Sequence, residues 1–281
     1  MTTLGHDRYC DEVARQLDLL RTTLTGADLS VTVPTCPDWT LAQLVRHTGS
    51  AVRWSERLVA TRAEQDIPDE DIPELEGPEG AEGPEGPESP EGSEGSKVDD
   101  PVALDAWLAR TAELGAATFR AAGADAAVWS WAEDHSAAFW ARRMTHELVI
   151  HRADAAIAVG VPYDVDPDVA ADAIDEWLDL VALAQRTDPD DGAAELKGAG
   201  RSIHLHATDA PAGLDAEWLV EFGEDGFTWR RGHAKATVAL RGPLTEVLLA
   251  FYRRRPLDSG RVEVVGEREL LDFWLERASF V

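Results

Sequence analysis

The stretch Ala141-Arg-Arg-Met-Thr-His-Glu-Leu-Val-Ile-His-Arg-Ala-Asp154 decides the reading of this chain. It holds no Gly or Pro and follows an aromatic–alanine run ending at Phe139 and Trp140. That composition predicts the middle of a helix. Residues four apart share a helix face, so Glu147 and His151 stack one turn apart, and Asp154 joins them three residues on. A carboxylate and an imidazole so placed can bind one metal ion, with bonds of about 2.0–2.2 Å to zinc. They serve equally as a polar i,i+4 pair on a helix face, and spacing alone leaves both readings open. His146-Glu147 followed by His151 mimics H-E-x-x-H with one residue too many. Five residues are about 500° of rotation, so His146 and His151 diverge and cannot form that two-histidine site.

Outward from this stretch, helical periodicity dominates the first two thirds of the chain. Val13, Leu17, Leu20 and Leu24 predict a helix over 5–25, stopped at Gly26. Prolines 34 and 37 predict an irregular loop before Trp39. Thr40-Leu-Ala-Gln43 matches a capping box and starts a second helix, which carries His47 on its core side. Further helices are predicted over about 100–122, 136–158 and 166–187. Their lengths suit a four-helix bundle, an architecture that builds metal sites from inward residues on facing helices.

Beyond about residue 188 the period changes to two. Ile203, Leu205 and Ala207 alternate with His204 and His206, which are expected to face solvent. Trp218, Val220 and Phe222 alternate next, Glu224-Asp-Gly226 turns the chain, and Phe227 and Trp229 return it. A strand at 237–240, a helix at 243–254, a strand at 262–265 and a last helix at 267–280 complete an α+β domain. The expected organisation is therefore an α+β two-domain chain: a helical bundle over 1–187 and a small α+β domain over 188–281.

Residues 66–98 interrupt the bundle with a Glu-Gly-Pro run. Fourteen acids and one lysine lie in 66–100, about half of the net charge of −27. With almost no apolar surface to bury, the segment is expected to be a disordered acidic insert. A docking tail for a basic partner is the other reading. The acidic balance argues against nucleic acid and anionic membrane surfaces as partners. Two cysteines, Cys10 and Cys36, make no disulfide framework. No basic-then-apolar leader and no 18-residue apolar run is present, so a cytoplasmic protein is expected, and a monomer.

Two segments resemble one family. Pro34-Thr-Cys-Pro-Asp-Trp-Thr40 with Leu44-Val-Arg-His47, and Arg143 through Asp154, are similar to the two signatures of mycothiol-dependent maleylpyruvate isomerase-like proteins. Their N-terminal domain is a DinB-like metal-binding four-helix bundle. Gly242–Arg255 and Val262–Glu267 resemble the end of the family's C-terminal domain. The resemblance implies His47, Glu147 and His151 as ligands of a divalent metal, zinc by donor type, with water at an open position. Asp154 is then an acceptor behind a ligand imidazole or a helix-face acid. Arg143 and Arg152 are candidates for holding a carboxylate of the thiol cofactor or substrate, with surface ion pairs as the alternative. The family places a C-terminal arginine near its active site, and Arg253, Arg254 and Arg255 all qualify. Cys36, Trp39 and Trp54 flank these positions, and packing accounts for them as well as a pocket does.

The implied activity is a metal-dependent isomerase or S-transferase in which mycothiol, a small thiol, attacks a small electrophilic substrate as a metal-bound thiolate. In the isomerase the thiol adds to a cis double bond, the bond rotates, and the thiol leaves; a transferase stops after addition. A hydrolase using metal-bound water, and a non-catalytic small-molecule binding module, are the alternatives.

Overall fold

The structure, a computed structural model, describes residues 4–78 and 100–278. It is α+β and separates into two compact units, one over Gly5–Tyr163 and one from Asp164 onward.

The N-terminal unit is a bundle of four helices: α1 (His6–Leu24), α2 (Leu41–Thr61), α3 (Pro101–Ala122) and α4 (Ala137–Val159). Val13, Leu17 and Leu20 of α1 are buried, as are Leu44, Val45, Val52 and Leu58 of α2. The capping box forms at Thr40: its hydroxyl accepts from Gln43 N–H, and Thr40 N–H donates to Gln43 Oε1 at 2.8 Å. Helices α2 and α3 approach closely at Gly49, where a Cβ would collide with the indole of Trp107. Helix α4 is buried on nearly every side, with Trp140, Met144, Thr145, His146, Leu148, Val149 and Asp154 all in the interior. This central position explains why its sequence shows little amphipathic contrast.

Two sequence expectations for this unit are corrected. The segment between α1 and α2 is not irregular. It forms an antiparallel ribbon of β1 (Thr32–Val33) and β2 (Cys36–Thr40), with Pro34 in its turn and Pro37 in the two-stranded edge that tolerates it. The insert is not disordered from residue 66. Residues 66–78 pack on the bundle: Ile72 is buried, Ser50 donates to Leu75 O at 2.6 Å, and Trp107 Nε1 donates to Glu74 O at 3.0 Å. Arg53 and Arg110 pair with the Glu74 carboxylate. A few anchoring groups suffice here, and overall composition hides them. The expectation for 79–98 lies outside the described residues.

The C-terminal unit contains α5 (Pro167–Thr187), α6 (Leu244–Phe251), α7 (Arg268–Arg277) and five further strands. These are β3 (Ser202–Ala207), β4 (Glu217–Phe222), β5 (Phe227–Arg231), β6 (Val238–Gly242) and β7 (Glu263–Gly266), in the order β5-β4-β3-β6-β7. Only the β3–β6 pair is parallel. The register places Ile203, Leu205, Trp218, Val220, Val238 and Leu240 on one buried face.

The expected boundary at 187/188 is also corrected, since α5 belongs with the sheet. Asp175 accepts from Trp218 Nε1 at 2.7 Å and pairs with Arg231, and Tyr252 donates to Ala173 O at 2.8 Å. Periodicity showed that α5 has a covered face but not which partner covers it. Among the described residues, no helix is long and apolar enough to cross a membrane.

Candidate metal centre

Helix α2 starts at its capping box, which sets His47 two turns into the bundle. Helix α4 starts at Ser136, whose hydroxyl accepts from Phe139 N–H at 3.2 Å. The two helices bring His47 against Glu147 and His151, a hundred residues away in sequence. Glu147 Oε1 lies 3.1 Å from His47 Nε2 and 3.0 Å from His151 Nε2. Tetrahedral bonds of about 2.0–2.2 Å put donor atoms about 3.3–3.5 Å apart, so a spread of a few tenths of an ångström admits an ion. Two imidazoles and one carboxylate converging on one point fit a zinc-type ion by donor chemistry.

His151 is oriented from behind. Its Nδ1 sits 2.9 Å from Asp154 Oδ2, and Asp154 Oδ1 accepts from Thr35 Oγ1 at 2.6 Å. Asp154 is fully buried. Cys36 Sγ approaches the same carboxylate at 3.9 Å. With Nδ1 engaged, Nε2 faces Glu147, and a carboxylate behind an imidazole in this way fixes its orientation. Thr35 was not legible as a site residue, because the prolines around it concealed the ribbon that delivers it. The ring of Trp39, on β2, lies 4.7 Å from that of His47 and 6.1 Å from that of His151.

The charges interlock. Burial would raise the Glu147 carboxyl, but His151, His47 and Arg143 outweigh it and hold the group well below the carboxylate range. Burial would lower His151, but Glu147 and Asp154 outweigh it and raise the imidazole to about 9. Arg143 donates from Nη2 to Glu147 Oε2 at 2.8 Å, leaving Oε1 turned towards the histidines.

Side-chain exposure falls from 40% at His47 to 22% at Glu147 and 11% at His151, so the centre opens on the His47 side. There His47, Glu147 and Arg143 border a cavity of about 480 Å³. Trp54, Trp131 and Trp140 line it, and Asp69, Leu75 and Glu76 of the packed 66–78 segment supply another wall. All of its lining residues belong to the N-terminal unit.

Other sequence candidates have partners of their own. His146 is buried with its ring edge-on to Tyr9 of α1, at 6.1 Å. Arg152 joins α4 to α1: it donates to Gln16 Oε1 at 2.7 Å and stacks over Tyr163. It does not border the cavity. Arg253 follows the α6 cap Tyr252 in a left-handed conformation, Arg254 donates to Tyr252 O, and Arg255 pairs with Glu246 at 3.0 Å.

Residues 10–156 match the model of the mycothiol maleylpyruvate isomerase N-terminal domain, and residues 168–273 match that of the family's C-terminal domain. The chain belongs to the mycothiol maleylpyruvate isomerase family. A crystal structure of the mycothiol-dependent maleylpyruvate isomerase shares its fold, with a TM-score of 0.57 at 15% identity, covering 95% of this chain and 97% of that one. The structure of a histidine-to-alanine mutant of that isomerase matches at a TM-score of 0.56 and 14% identity, with the same coverage. No curated protein matches. The model of the family's C-terminal domain begins at residue 168, in the first turn of α5, and the second compact unit begins just before that helix, at Asp164.

Proposed function

We propose that the chain is a metal-dependent enzyme that uses mycothiol to isomerise, or to add a thiol to, a small electrophilic substrate such as maleylpyruvate. The observation that carries this is the convergence of His47, Glu147 and His151 beside an open, tryptophan-lined cavity. A family relation to mycothiol-dependent enzymes supports the choice of thiol.

In this reading His47 Nε2, Glu147 Oε1 and His151 Nε2 hold the ion. When bound, the ion supplies Lewis acidity that makes a thiol acidic near neutral pH. Asp154 and Thr35 keep His151 in the ligating tautomer. Arg143 holds Glu147 in place and is also the cation bordering the cavity, suited to face a substrate carboxylate. The three tryptophans exclude water from the apolar part of the substrate.

The test is zinc-loaded protein incubated with mycothiol and maleylpyruvate, following the trans product and free thiol together. Product without net thiol loss indicates isomerisation, and stoichiometric thiol loss indicates S-transfer. Glu147→Gln is expected to cost at least about a hundredfold in rate, on the scale of a lost ligand or its support. A folded, zinc-loaded wild type that changes neither mycothiol nor the electrophile contradicts the proposal.

A further inference from the structure

The outer face of the C-terminal sheet carries a second convergence of donors. On β3, His204 and His206 alternate onto that face, opposite the apolar one. Glu217 on β4 is the cross-strand partner of His206. Past β5, Gly232 N–H extends the ladder to Glu217 O at 2.9 Å, and its positive φ swings His233 back over the strands. The sequence expectation of two solvent-facing histidines is corrected: His204 is only 5% exposed, with the rings of His206 and His233 at 5.8 and 5.1 Å.

Three imidazole nitrogens crowd one carboxylate oxygen. Glu217 Oε2 lies 2.8 Å from His204 Nε2, 2.8 Å from His206 Nδ1 and 2.6 Å from His233 Nδ1. One oxygen offers about two lone-pair directions, so it cannot accept three well-formed hydrogen bonds. Accordingly, among the described residues, His204 Nε2 and His206 Nδ1 are buried without a hydrogen bond of proper geometry. A buried polar atom so left is costly, and the cost disappears if the nitrogens direct lone pairs at a cation.

We infer that His204, His206, Glu217 and His233 form a second site, for a divalent transition-metal ion of the zinc type. The four donor atoms lie within 4.8 Å of one another. Three imidazoles and a carboxylate are a borderline-soft, tetrahedral donor set that favours zinc over calcium or magnesium. Four protein donors leave no open position, so the site is structural. It ties β3, β4 and the segment after β5 together, independently of the centre in the helical bundle.

His233 is the variant to use, because its side chain is 75% exposed and its loss does not threaten the core. Zinc is titrated calorimetrically into metal-free full-length wild type and His233→Ala, with circular dichroism confirming the fold of each. His233→Ala is expected to remove one tightly bound equivalent, or weaken it at least about tenfold, whatever the wild-type total. A wild type holding two equivalents and a variant holding one supports both centres. A wild type holding one and a variant holding none supports this site and overturns the bundle centre. Unchanged stoichiometry and affinity in His233→Ala overturns the inference. So does a His233-dependent equivalent that binds only at millimolar zinc, which is the behaviour of scattered surface histidines.

Discussion

His151 lies between two carboxylates, and that position sets how protons and metal compete. In the metal-free fold its imidazole is raised to about 9, against 6.5 for an ordinary histidine. A raised value means that the bound proton stabilises the fold. That contribution is complete below about pH 6.5 and disappears as pH rises through about 9. Metal binding needs the same nitrogen without its proton. Zinc affinity at the bundle centre is therefore expected to rise by about tenfold per pH unit up to about pH 9, with about one proton released per ion at pH 7.5. Titrations in buffers of different ionisation enthalpy measure that proton, and a pH-independent affinity contradicts the charge arrangement. At this scale the sequence was partly legible. Glu147, His151 and Asp154 follow from helical spacing, because one helix carries all three. Thr35, which anchors Asp154, depends on the turn of the β1–β2 ribbon, and the imidazoles around Glu217 on strand register, neither of which local spacing displays.

Elements were read well where one chain segment determines them. The capping box at Thr40, the ends of α3 and α5 and the hairpin of β4 and β5 follow from residues within a few positions of each other. Partnership between elements was less legible: α5 joined the sheet, and 66–78 joined the bundle. The second difference changes what a deletion should do. Removing 79–98 takes away a sequence without aromatic residues and with almost no aliphatic ones, and halving the length of a flexible connection alters closure entropy by only about 0.6 kcal/mol. Melting temperature and metal content are expected to stay unchanged. Extending the deletion back through Ile72 removes a buried aliphatic side chain and the Glu74 anchors. That is expected to cost about 2–5 kcal/mol, the range for losing a large buried residue, and to open the cavity wall. Calorimetric melting of both deletions checks this, and equal melting temperatures would show that 66–78 contributes nothing.

At the scale of the whole molecule, the chain combines two units that use the same donor chemistry differently. The proposed bundle centre has three protein donors and an exposed side at His47, as a reactive site requires. The inferred sheet site has four donors and so no open coordination position, as a structural tie requires. The family relation and the fold cover both units, but only the residue geometry distinguishes their roles. The central claim is that two helices bring His47, Glu147 and His151 onto one ion. The most direct measurement is an anomalous difference map, at the zinc absorption edge, from crystals of the zinc-loaded protein. The account predicts a peak about 2.0–2.2 Å from His47 Nε2, Glu147 Oε1 and His151 Nε2, with Asp154 still on His151 Nδ1. A zinc-loaded crystal with no peak between α2 and α4, or with a peak bound through His146 instead of His47, contradicts it.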